Sequence, residues 1–410
     1  MNIITIIIVC TLVVDLVISL IADILNLRQI KSDIPHEFQA IYDSDQYKKS
    51  QDYLKVNTRF GWFSAPFDVC LFLMLWFGKG FLFIDHWARS WEFGPILTGI
   101  IYIGVLSVIK LIVSLPFGLY ETFVIEERFG FNKTTWSLFF IDLFKSLALS
   151  LIIGIPILAC VLFFFEHSGS FAWLYCWIFT IAVLLIIQFV APIWILPLFN
   201  KFKPLEDGDL KDAIMSYAAS VNYPLTQVFV MDGSKRSTKS NAFFTGFGKN
   251  KRIGLFDTLI QNHTISEIVA ILAHEIGHYK KKHIQISMII GIFHSGILFY
   301  VLSFFISYKG LFDAFYMDQV SVYAGLIFFG ILYSPIDSFL GLLFQMISRR
   351  NEYQADRFGV ETTHDPESLV EALKKLSVHN LSNLMPHPFY VFLNYSHPPV
   401  LNRINAIRSY

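Results

Sequence analysis

Charged side chains are scarce in this chain of 410 residues: 16% are Asp, Glu, Lys or Arg, and the two signs balance at 32 each. A formal net charge of +0 leaves no global basic field for nucleic acid, which is not an expected partner. Cysteine is scarce too. Cys10, Cys70, Cys160 and Cys176 fall inside apolar runs at irregular spacing, which argues against a disulfide framework or a thiolate metal site. Internal repeats and low-complexity tracts are absent. No basic start precedes the first apolar run, and that run exceeds the ~7–15 residues of a signal-peptide core, so an uncleaved first span is expected.

What abounds is apolar surface: 54% hydrophobic residues and 17% aromatics, including 42 phenylalanines. This composition belongs to an integral membrane protein. A helix crosses the hydrocarbon core with about 20 apolar residues, because its backbone satisfies itself without water. Runs at roughly 3–25, 66–84, 95–118, 143–165, 171–197, 284–306 and 320–346 meet that length, giving seven spans. Lys and Arg concentrate in 28–59, in 198–283 and after Arg349, and the positive-inside rule makes those segments cytosolic. An odd span count then puts the uncharged Met1-Asn2-Ile3 start on the far side and the C-terminus in the cytosol. Sequons at Asn132, Asn262, Asn380 and Asn394 fall on the cytosolic side and are expected to stay unmodified.

The chain divides into spans one to five with their loops (1–197), a cytosolic segment (198–283), spans six and seven (284–346) and C-terminal cytosolic helices (347–410). The fold class is mainly α, with a small cytosolic α+β protease portion. Within that portion 209–221 has helical spacing, Thr226 to Met231 reads as a strand, and 265–283 reads as a helix with Ser266 as N-cap. Asn351 to Val360 reads as a helix after the last span. Another starts at Asp365-Pro366-Glu367 and runs to about 378, and a last one begins near Pro398.

The string that carries chemistry is His274-Glu275-Ile276-Gly277-His278. On a helix it puts two histidines on one face, within reach of one zinc ion, with Glu275 placed as general base. By composition alone such a match arises in roughly one such chain in a hundred. A catalytic zinc takes three protein ligands, and the best candidate for the third is Glu352, with Asp356 one turn later able to accept a ligand imidazole N–H. The bland alternative is an amphipathic helix whose acids pair with Arg349 and Arg357. Asp15 and Asp23, in or near the first span, are read as structural rather than functional, Asp23 with room to lie at the interface, and His283 and His294 read as core or interface rather than ligands.

Phe123 to Glu127 with Gly130-Phe131-Asn132, Gly233 to Ser237 with Ser240-Asn241-Ala242, Leu255 to Leu259, the HEIGH string, Glu352 to Asp356 and Ser396 to Pro399 together resemble the type I CAAX prenyl endopeptidases. The resemblance implies a barrel of seven helices around an intramembrane chamber, with one zinc held by His274, His278 and Glu352. It makes Glu275 the catalytic glutamate and Asp356 the carboxylate behind a ligand. It implies that Asn241 and Ala242 bind substrate backbone as an edge strand, and that His397 and Arg403 face the site and assist the oxyanion or the substrate. The expected substrates are prenylated, notably farnesylated, CAAX proteins or peptides that lose a C-terminal tripeptide, with a second, more N-terminal cut also open. Membrane lipid surrounds the chain. An endoplasmic-reticulum address follows from the resemblance only, since Arg408-Ser409-Tyr410 carries no retrieval signal. Two departures are the short run from Leu259 to Ser266, where some relatives insert a long polar segment, and Lys239, where some have histidine. The rival readings are a quality-control membrane metalloprotease and a non-enzymatic transporter or scaffold.

Overall fold

The computed structural model describes residues 2–245 and 251–410. Met1 and 246–250 lie outside the described residues, as do the side chains of 243–245 and 251–252, so Lys251 and Arg252 contribute only backbone here. Among the described residues, seven helices are long and apolar enough to cross a membrane: Ile3–Arg28, Ser44–Phe77, Pro95–Glu126, Trp136–His167, Gly169–Phe199, His283–Phe305 and Val322–Thr363. Their number is the expected one; their ends are not. The run 66–84 is divided, because Ser44–Phe77 stops at Gly78 and a short helix Gly80–Arg89 restarts after Lys79 at φ 57. Hydropathy marks only the hydrocarbon stretch, whereas a helix satisfies its own backbone and continues into water.

Sequential packing closes the barrel. The sixth span packs on the fifth, the fifth on the fourth, the fourth on the third, the third on the seventh and the seventh on the sixth. The first span links the seventh to the second, which meets the Glu121–Glu126 end of the third. Only 0–17% of each span's most apolar window is buried within the protein, so these faces need hydrocarbon or a chamber against them. Charges placed inside spans need a partner or water. Lys110 meets Asp68 at 2.9 Å across the second and third spans, and Lys145 Nζ donates to the Leu198 carbonyl at 2.7 Å. Asp23 accepts from Trp62 Nε1 at 2.9 Å, which satisfies it near the end of its helix. Away from the HEIGH string the spans converge on an aromatic core in which Trp76, Phe315 and Phe328 stack in series, with Trp76–Phe315 centroids 4.6 Å and Phe315–Phe328 centroids 4.0 Å apart.

Between spans five and six lies a four-stranded sheet of β1 (Phe202–Pro204), β2 (Leu225–Met231), β3 (Ala242–Thr245) and β4 (Lys251–Phe256). The order is β1-β2-β4-β3, with β2 and β4 parallel and the outer pairs antiparallel, so β3 is an edge strand. Helices Asp209–Ser220 and Ile265–Lys280 pack beside it around Ile214, Leu255, Ile268 and Leu272. Thr264, rather than Ser266, caps the second of these. Its extended backbone lets its Oγ1 accept from Glu267 N at 3.3 Å while Glu267 Oε2 accepts from Thr264 N at 3.0 Å. The helix stops at Lys280, and Lys282 at φ 61 starts the sixth span.

No break separates the seventh span from the helix expected at Asn351 to Val360. Val322–Thr363 is one helix of 42 residues. At ~1.5 Å per residue it is about 63 Å long, twice the ~30 Å hydrocarbon core, so its last turns stand beyond the membrane. Pro335 interrupts one hydrogen bond without ending it. Beyond Thr363 the described α-helices are Pro366–His379, the unforeseen Pro388–Asn394, and Val400–Ile407.

The last turns of Val322–Thr363 lie directly on Ile265–Lys280, and small residues set that approach. A Cβ on Gly277 would sit 3.1 Å from the Ala355 Cα and carbonyl oxygen, and one on Gly359 would sit 3.3 Å from the His274 nitrogen. Gly277→Val is expected to destabilise the protein by about 1–3 kcal/mol through overpacking, more than the ~1 kcal/mol gained by removing a helical glycine. A lower Tm in detergent checks it, and an unchanged Tm would show that the two helices can part freely.

Candidate metal centre

Helix Ile265–Lys280 presents His274, Glu275 and His278 toward a cavity of about 500 Å³, and the seventh helix delivers Glu352 from the other side. His274 Nε2 and His278 Nε2 are 3.2 Å apart. Glu352 Oε2 lies 3.4 Å from the first and Oε1 lies 3.3 Å from the second. Tetrahedral ligands about 2.0–2.1 Å from a common centre stand about 3.3 Å from each other, so these three groups have the spacing of one metal site. Glu352 is buried, and its Oε2 has no hydrogen-bond partner although His274 Nε2 and Arg403 Nη1 are each 3.4 Å away. A buried anionic oxygen left in that state fits a cation. Two imidazoles and one carboxylate facing an open cavity also leave a fourth position, the donor set of a catalytic site.

Behind each histidine stands a different support. His274 Nδ1 meets Asp356 Oδ1 at 2.8 Å, and Arg403 grips the same carboxylate with Nε at 2.8 Å and Nη2 at 2.6 Å. Burial opposes charge on His274, but the Asp356 and Glu352 carboxylates outweigh it and raise its pKa to about 9. The two carboxylates favour positive charge at this position, which a bound cation would supply in place of that proton. Arg403 is buried, and two of its donors are spent on Asp356, so it holds the ligand's support more than it reaches for substrate. Its pKa rises further because Asp356 and Glu352 outweigh the cost of burying it.

His278 is held by a chain of neutral groups. Its Nδ1 lies 3.1 Å from His283 Nδ1, and His283 Nε2 lies 3.0 Å from Gln354 Oε1. The amide oxygen requires a proton on His283 Nε2, so His283 Nδ1 accepts from His278 Nδ1–H. That leaves the lone pair of His278 Nε2 directed at the cleft, as ligation needs. Sequence spacing gave no signal for Gln354, and His283 stood apart from the ligand set as a core or interface group. His294 is elsewhere, 3.1 Å from the Tyr333 hydroxyl.

Glu275 makes no hydrogen bond or ion pair among the described residues and lines the cavity with Asn241, Ala242, His397 and Arg403. His397 is exposed at the rim, with Nε2 3.4 Å from Glu352 Oε1 and Nδ1 2.9 Å from Ser396 Oγ. The alternative pairing of Glu352 with neighbouring arginines does not occur: Arg357 pairs with Glu361 at 2.7 Å and Arg349 donates to the Tyr395 and Val391 carbonyls. The loop leading to Asn241 is strapped to the membrane helices. Arg236 forks onto Asp142 at 2.8 and 3.1 Å, Thr238 N donates to the Phe131 carbonyl at 3.1 Å, and Lys239 lies 2.9 Å from Glu126 and 4.5 Å from the Phe131 ring centroid. The unusual lysine thus anchors the residue just before Ser240.

Residues 23–201 match the family described as CAAX prenyl protease N-terminal, five membrane helices, and residues 204–410 match peptidase family M48. The chain is 33% identical over 409 residues to the CAAX prenyl protease 1 homolog of Oryza sativa subsp. japonica, covering 97% of this chain and 96% of that protein. It is 34% identical over 406 residues to CAAX prenyl protease 1 of Saccharomyces cerevisiae, with 92% and 89% covered. The crystal structure of S. mikatae Ste24p superposes with a TM-score of 0.92 at 32% identity, over 99% of this chain and 98% of that one.

His283→Ala and Asp356→Asn are each expected to weaken metal affinity by about 10–100-fold, the usual effect of removing a group behind a ligand. Titrating bound metal against a chelator reads this directly. An unchanged affinity in either variant would show that the imidazole in front of it orients itself.

Proposed function

The chain belongs to peptidase family M48 and is an integral-membrane metalloprotease with a CAAX prenyl protease N-terminal portion, and from that premise we propose that it removes the C-terminal tripeptide from prenylated CAAX proteins. The observation that carries the reading is an unpaired Glu275 beside three converged ligand groups, in a cavity also lined by the start of an edge strand. The metal is zinc, one per chain, held by His274, His278 and Glu352. When bound it lowers the pKa of water toward ~7 and polarises a carbonyl.

The chain's own residues do the rest. Asn241 and Ala242 pair with the substrate backbone as an added strand, which gives affinity with little side-chain selection and suits variable residues after the prenylated cysteine. Glu275 takes a proton from the attacking water and returns it to the leaving amine. His397 Nε2, at the rim, donates to the carbonyl oxygen as charge develops there. Arg403 fixes Asp356, and through it the His274 ring. The lipid lies in the barrel formed by 1–197 and 284–346, while 198–283 supplies strand and base and 347–410 the third ligand. The ordering of the basic loops supports a cytosol-facing site, and the family likeness alone supports an endoplasmic-reticulum address. A second, more N-terminal cut uses the same strand and base.

Cleavage of a farnesylated CAAX peptide and of its unprenylated twin tests the assignment. We expect the first to be cut and the second spared, and Glu275→Gln to keep one zinc while losing about 10²–10⁴-fold in rate. Equal cutting of both peptides would remove the prenyl requirement. Full activity in Glu275→Gln would remove the general base.

A further inference from the structure

A second cavity, of about 560 Å³, opens between the second and third spans and is walled by Phe60, Phe63, Phe117 and Tyr120, with Arg59 and Arg128 at its rim. Its aromatic wall is ordered: Phe60 and Tyr120 stack at 5.3 Å between centroids, and Phe63 meets Phe117 at 6.0 Å. Its lining contains no acidic residue. Both arginines are exposed, and among the described residues neither has an ion pair or a hydrogen bond to its guanidinium; Arg128 only lies over the Phe129 ring, 5.5 Å from the centroid. Basic groups nearby are committed instead: Lys239 to Glu126, Arg236 to Asp142 and Lys110 to Asp68.

Position in the chain gives the pair a level in the membrane. Arg59 is the last charge of the polar half of Ser44–Phe77, and Arg128 stands two residues past Pro95–Glu126, so both lie where a span leaves the hydrocarbon on the same side as the HEIGH string. The aromatic rings lie toward the apolar part of the same helices. Two free guanidinium groups over an aromatic slot fit an amphiphile with an anionic head and an apolar tail.

We propose that this cavity is a binding site for one anionic glycerophospholipid with a headgroup carboxylate, its phosphodiester and that carboxylate held by Arg59 and Arg128 and one acyl chain laid along Phe60, Phe63 and Phe117. The buried floor residue Ile125 packs with Phe129 and Phe131, next to Glu126 and Lys239, so the bound lipid braces the base of the strap that carries Ser240 to Ala242. This site is separate from the proteolytic one and stands whether or not the substrate reading does.

The test uses the full chain in dodecyl maltoside, titrated with dioleoyl-phosphatidylserine or dioleoyl-phosphatidylcholine and read by native mass spectrometry. With each guanidinium contributing as a basic residue does at an anionic membrane surface, the first bound phosphatidylserine is expected to be favoured by about 30-fold. Arg59→Gln with Arg128→Gln should reduce that preference to about threefold or less, while Arg59→Lys with Arg128→Lys keeps most of it and controls for folding. Equal binding of the two lipids by the wild type, or a preference that survives the glutamine pair, would overturn the site. Displacement of phosphatidylserine by millimolar inorganic phosphate would overturn the lipid in favour of a free anion.

Discussion

Everything at the candidate metal centre depends on how closely two helices cross. Ile265–Lys280 carries two histidines and Val322–Thr363 carries the glutamate, whose oxygens stand 3.3–3.4 Å from the histidine nitrogens where Gly277 lies against the Ala355 backbone and Gly359 close to the His274 backbone nitrogen. A tetrahedral site tolerates little spread in those distances. Glycine and alanine at the crossing therefore matter to the site as much as the three groups that could hold a metal, although they carry no chemistry. The great length of the seventh helix has the same purpose: a rigid rod rooted in the barrel brings Glu352 to the protease portion without a loop whose motion would blur it.

Electrostatics then holds the crossing. An unpaired charge at the burial of Asp356 costs several kcal/mol, so the forked Arg403 is a condition of the carboxylate being there at all. Arg403 comes from Val400–Ile407, whose Ile404 and Ile407 pack with Val370 and Leu373 of Pro366–His379. The C-terminal helices thus form the far wall of the metal site. The two histidines differ in what backs them: His274 faces a charged pair, and His278 faces the neutral chain of His283 and Gln354. One imidazole is set by charge and the other by tautomer.

The membrane and protease portions meet through a strap rather than a linker. Residues from Gly233 to Ser240 are bonded to the ends of the third and fourth spans by Arg236, Thr238 and Lys239, and Ala242 begins the edge strand immediately afterwards. Any change in the separation of those span ends reaches the edge strand over a few residues. Arg59 and Arg128 border the same region from the membrane side.

Much of this was legible in the sequence because it is local. Seven apolar runs, the i and i+4 histidines of the HEIGH string, the strand near 226–231 and the glutamate–aspartate pair one turn apart are all patterns within about 25 residues, set by hydropathy and helical period. The capping residue, the end of the second span and the unbroken seventh helix were not, since hydropathy is silent once a helix leaves the lipid and a cap is chosen by backbone angles. Nor could periodicity assign His283 and Gln354, 71 residues apart, to one hydrogen-bonded chain, or place Arg403 on Asp356. The sequence by itself determined that the chain crosses a membrane seven times and which side chains can hold a metal. Only the tertiary structure decided which of them meet, because the distance between ligands on different helices depends on packing at Gly277, Ala355 and Gly359, and small residues leave no mark in hydropathy or charge.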